Sequence, residues 1–95
     1  MTCQYLAGEL SALLGELEAT VLSGEERADL TGLRHEAETV PPTALPSVAR
    51  RALDCARGLC WASLSRGDMV NLALRATVCA HLREFIVCAR LLSDE

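Results

Sequence analysis

The chain has 95 residues, 51% of them apolar, and a formal net charge of −4; all nine of its basic residues are arginine. That length lies near the lower end of what folds alone, where roughly 60–68% of the surface is buried, and it predicts one helical domain spanning residues 1–95. Net negative charge argues against bulk electrostatic binding of nucleic acid, and charged residues interrupt every apolar run short of the about 20 residues of a membrane span.

The opening stretch MTCQYLAGELSALLGELEA carries Glu9 inside its first apolar run and lacks a basic leader, so it does not resemble a secretory signal and the expected location is the cytoplasm. Leu6, Leu10, Leu13, Leu14, Leu17 and Val21 recur at helical spacing, which predicts a first helix from about Gln4 to Leu22. On the opposite side Gly8, Ala12, Gly15 and Ala19 form a stripe of small residues. Glycine within a helix costs roughly 0.5–1 kcal/mol relative to alanine, and close approach of another helix would offset that cost.

Ser23 and Glu26 have capping-box spacing ahead of a second helix, Gly24 to about Thr39. Its narrow stripe of Leu30, Leu33, Ala37 and Val40 places it on the surface of the fold. Pro41 and Pro42 end it, because proline restricts the preceding residue and cannot donate to a helical ladder.

Pro46 suits the first turn of a third helix reaching about Leu64, with Val48, Ala49, Ala52, Leu53, Ala56, Leu59 and Cys60 turned inward. On its outer side Arg50, Asp54, Arg57 and Trp61 follow at spacings of four, three and four. Trp61 over Arg57 reads as a cation–π cover or as an anchor for a partner protein. Gly67 and Asp68 supply a helix stop and the next cap, so the tripeptide Arg66 to Asp68 is turn chemistry rather than an adhesion signal.

The fourth helix runs from Met69 to about Leu92 and shows apolar residues on two sides. Leu74, Val78, Leu82, Phe85 and Leu92 form the expected core arc; Ala73, Ala76, Ala80, Val87 and Leu91 lie nearly opposite. Arg75, Arg83 and Arg90 fall on one flank, with Thr77, His81, Glu84 and Cys88 on the other. This pattern predicts a helix contacted on both sides, within the bundle or by another chain. Three short connections predict an all-α, compact antiparallel four-helix bundle.

Functional chemistry is sparse. The five cysteines are odd in number and irregularly spaced, which reads as reduced thiols acting as small apolar residues. Cys55 and Cys60, like Cys79 and Cys88, point too far apart on their helices to clamp one ion, so no metal or cofactor is expected; His81, Glu84 and Cys88 share a side and would need another helix to complete a ligand set. No nucleophile elbow, phosphate loop or enclosed carboxylate pair is present, and the core faces read as aliphatic, so no catalytic residue is assigned.

LCWASLSRGDMVNLALRA resembles the helical hairpin of tetratricopeptide units over about a fifth of the chain, although the second unit that such arrays need is missing. Arg50, Arg51, Arg57 and Arg66 with the hairpin of the third and fourth helices make nucleic-acid binding the alternative, against which the would-be recognition helix offers only Asn71 and Arg75 as exposed polar residues, poor for reading bases. The expected function is protein contact by a non-catalytic homodimer with a regulatory or assembly role. Its contact residues are Gly8, Ala12, Gly15, Ala19, Ala73, Ala76 and Ala80, with Arg57 and Trp61 as a separate anchor.

Overall fold

The computed structural model describes residues 3–20 and 24–93. Its helices are α1 (Cys3–Glu18), α2 (Gly24–Thr39), α3 (Leu45–Arg66) and α4 (Met69–Ser93), with a 3₁₀ turn at Pro42–Ala44 leading into α3. They form the antiparallel four-helix bundle that the short connections predict, in a body of 43 × 22 × 16 Å. α3 and α4 pack along each other as a hairpin; α1 lies against α2 and α4, and α2 closes onto α3.

Each helix contributes the face that its spacing requires. Leu10, Leu14 and Leu17 of α1, Leu30 and Ala37 of α2, and Val48, Ala49, Ala52, Leu53, Ala56 and Leu59 of α3 are buried in one cluster. The hairpin turn has a chemical basis. Gly67 adopts the left-handed conformation (φ 72°, ψ 21°), and the amides of Gly67 and Asp68 bond to the carbonyls of Leu64 and Ser63 at 3.1 and 2.9 Å. This paired C-cap satisfies carbonyls that the helix end would otherwise orphan. Asp68 then caps α4, accepting from the Asn71 amide at 3.3 Å.

Two helices differ in extent from the sequence reading. α1 stops at Glu18 rather than near Leu22, and Thr20 turns back so that its amide and hydroxyl both bond the Leu17 carbonyl, at 3.0 and 2.7 Å. Val21, Leu22 and Ser23, and with Ser23 the expected capping box, lie outside the described residues. α3 starts one residue earlier and ends two later than expected, because the 3₁₀ turn carries the chain into it and the Gly67 cap completes its last turn.

The larger correction concerns α4. Its buried face is Arg75, Val78, Cys79, Leu82, Phe85, Ile86 and Ala89, whereas Leu74, expected in the core, is 52% exposed. The side chain of Leu92 lies outside the described residues. The helix is rotated so that Arg75, read as an exposed flank residue, becomes fully buried. The core is therefore not wholly aliphatic.

Candidate functional site

Arg75 joins three helices. Its Nε donates to Thr20 Oγ1 at 3.0 Å, Nη2 to the Thr20 carbonyl at 2.8 Å, and Nη1 to the Leu59 carbonyl at 2.8 Å and to Ser63 Oγ. No carboxylate is among these partners within the described residues. A guanidinium retains its charge in proteins, so the cation is balanced by hydroxyl and carbonyl dipoles. The Thr20 carbonyl lies just beyond the C-terminal end of α1, where the helix macrodipole is negative. Arg75 thus fixes where α1 stops and how α4 is rotated, and that rotation decides which residues α4 presents outward.

What it presents is apolar. Ala73, Ala76 and Ala80 are exposed, and so are the larger Met69, Val70, Leu74, Val87 and Leu91, with Val70 74% and Leu91 63% accessible. The expectation of packing on both sides of α4 is thus not met within one chain: the bundle covers one side, and the alanine stripe faces outward. The large exposed side chains bracket the small ones, with Met69 and Val70 before and Val87 and Leu91 after.

The stripe on α1 has a different environment. Gly8, Ala12 and Ala19 are exposed, and nothing lies within 4 Å of where a Cβ on Gly8 would stand. Gly15 is half-buried, but its neighbour is the Arg34 guanidinium, 3.6 Å from an added Cβ, rather than another backbone. Close helix approach therefore does not account for these glycines. Arg34 uses the space to reach both Glu18 Oε2 at 3.0 Å and Ser11 Oγ at 3.2 Å, tying α2 to α1.

Along the α1–α4 seam run two open hollows. One, of about 420 Å³, is lined by Glu16, Ala19, Thr20, Leu74, Thr77, Val78 and His81; the other, of about 280 Å³, by Leu6, Glu9, Leu13, His81, Glu84, Phe85 and Cys88. His81 lines both and stands 3.9 Å from Glu84. His81, Glu84 and Cys88 do share this flank as their spacing implies, yet among the described residues no three His, Cys, Asp or Glu side chains are grouped to hold a metal ion.

Arg57 and Trp61 are exposed on the outer side of α3, with Arg50 and Asp54 on the same face; Trp61 is 69% accessible. Arg51 pairs instead with Glu36 of α2 at 2.6 Å. The two residues expected to read nucleic acid are otherwise engaged: Arg75 is buried, and Asn71 Nδ2 donates to Asp68 Oδ2 at 2.8 Å.

A cross-helix contact absent from the sequence reading joins Cys60 of α3 to Cys79 of α4, with the two Sγ atoms 3.8 Å apart. Burial, and after it the neighbouring Cys60, pushes the Cys79 thiol up to about 11, while Arg83 and Arg57 pull the other way. Cys55 is also raised, by burial first and then by Asp29 and Glu26. Among the described residues no helix is long and apolar enough to cross a membrane. Comparison with protein-family models, curated proteins and solved structures finds no match to this chain.

Proposed function

We propose that this chain is a non-catalytic protein-contact module that pairs with a second copy of itself through the outward face of α4, and serves regulation or assembly in the cytoplasm. The observation that carries the reading is the set of large apolar side chains, Val70, Leu74, Val87 and Leu91, left exposed on the helix that also bears Ala73, Ala76 and Ala80. Large exposed apolar side chains gathered on one helix support an interaction site. A second copy is the favoured occupant because the face is self-complementary in size. An antiparallel pair centred on Ala80 sets Ala73 of one copy opposite Val87 of the other and Met69 opposite Leu91, so the small residues near the two-fold axis let the apolar ends of the two helices meet. Arg57 and Trp61, exposed on α3, serve as the separate anchor.

Sedimentation at micromolar concentration tests this directly. The expected species has twice the 10.2 kDa chain mass, and a strict monomer at every concentration would remove the homodimer. The nucleic-acid alternative is weakened by the burial of Arg75 and the engagement of Asn71, which leave α4 without a free polar reader at its N-terminal end. Salt-dependent retention on immobilised DNA would restore that alternative; no retention at low salt is expected.

A further inference from the structure

The Cys60–Cys79 contact has no part in the proposed pairing surface. Cys79 points into the α3–α4 interface and is 6% exposed, whereas Cys60 is only partly buried. The sulfurs sit 3.8 Å apart, in van der Waals contact across two different helices. Bond formation requires them to close to about 2.0 Å. Arg57 and Arg83 only partly offset the burial that raises the Cys79 thiol, so Cys79 is the slower of the two nucleophiles. One thiol is thus accessible to a reagent and the other is held against it from behind.

We propose that Cys60 and Cys79 form a thiol–disulfide exchange site, which a low-molecular-weight disulfide of the oxidised-glutathione class converts into a reversible cross-link between α3 and α4. The partly exposed Cys60 loses its proton to solvent and attacks one sulfur of the reagent. The reagent's sulfur–sulfur bond breaks, one reagent thiolate leaves and takes up a proton, and a mixed disulfide remains on Cys60. Cys79, deprotonated in turn, attacks the Cys60 sulfur and expels the second reagent thiolate, which takes up a proton. The two protein thiols are oxidised to one disulfide and one reagent disulfide is reduced to two thiols, so no other electron acceptor enters. Because only the thiolate attacks, the second step accelerates as pH rises towards the elevated range of Cys79.

The test uses the full reduced chain incubated with oxidised glutathione, followed by alkylation of remaining thiols under denaturing conditions, trypsin digestion and mass spectrometry. Cleavage after arginine places Cys60 in the peptide 58–66 and Cys79 in the peptide 76–83. The expected product joins these two peptides, is lighter than the reduced pair by two hydrogens, and is separated again by dithiothreitol. In Cys79→Ser the reaction should stop at a glutathione adduct on Cys60, and in Cys60→Ser the cross-link should be absent. Should either variant fail to fold, the mapping of the wild-type chain decides alone. A wild-type chain that keeps glutathione on Cys60 while Cys79 remains alkylated, or that is modified only at Cys55 or Cys88, overturns the proposal.

Discussion

At position 75 the chain buries a fixed positive charge where the helical pattern would accept a leucine, and the guanidinium takes acceptors from α3 and from the turn after α1. Lysine cannot reproduce this fork: its ammonium is a compact point charge with three donors. Arg75→Lys should therefore cost about 1–3 kcal/mol through imperfectly satisfied acceptors. Arg75→Ala should cost about 3–5 kcal/mol, because a cavity is added to the orphaned Thr20 and Ser63 groups. Urea unfolding with an unchanged slope would read both losses as midpoint shifts; an Arg75→Ala midpoint close to wild type would show that the bonds add nothing to packing. Arg75 was illegible in the sequence because its partners are a backbone carbonyl at a helix end, a mid-helix carbonyl and two hydroxyls, none of which leaves a pattern of charge. Cys79 gives a second residue-level prediction. Its thiol is raised from 9.0 to about 11 in the folded state. Between those values the folded chain holds a proton that the unfolded chain has released, so the Cys79 contribution to stability is constant below about pH 9 and falls as pH rises towards about 11. Cys79→Ala should show a smaller drop in melting temperature between about pH 8 and about pH 10.5 than the parent does, and an equal drop would assign the loss to other groups, Cys55 first among them.

Helices were the most legible elements, since the positions of Leu10, Leu14, Leu17, Leu30, Ala37 and the α3 set follow directly from the 3.6-residue period. Their rotation was less legible where a helix has apolar residues all round. On α4, Leu74 and Arg75 exchange the places that side-chain polarity alone assigns them, because the α1 terminus offers Arg75 what a solvent-facing site would. The same register that sets Ser63 against Arg75 also brings Cys60, three residues back on α3, against Cys79, four residues on along α4. That pairing could have been found by folding the hairpin about Gly67 and Asp68, whereas comparing cysteines within single helices misses it. The glycines yield a prediction at this scale. Gly8 lies in α1 with open space where a Cβ would go, so Gly8→Ala should stabilise the chain by about 0.5–1 kcal/mol. Gly67, at φ 72°, should behave oppositely: Gly67→Ala forces a side chain into the left-handed region and should cost about 1–2 kcal/mol. Thermal unfolding of the two variants should move in opposite directions, and a Gly8→Ala loss would indicate that a second chain lies over the α1 stripe.

For the molecule as a whole, a chain this small has little core relative to its surface, and an apolar face on its longest helix would gain by being covered. The acidic character of residues 1–47 and the arginine-rich remainder put unlike charges on the two helical hairpins, which suits their packing within one bundle. The position that separates a solvated face from a paired one is Ala80, exposed in the single chain and placed at the two-fold axis in the antiparallel arrangement. In a monomer, Ala80→Glu is a substitution on an open helix surface and should change stability by no more than about 0.5 kcal/mol. In the pair it brings two carboxylates together in a desolvated contact, where like charges repel and neither finds a partner. Sedimentation of Ala80→Glu at the concentration that yields the dimer should therefore give the monomer, with the helical circular dichroism spectrum retained. Leu91→Glu, at the end of the contact rather than its centre, should weaken association less. Were both variants to remain dimeric, pairing would have to run through another face, with Arg57 and Trp61 the next position to change.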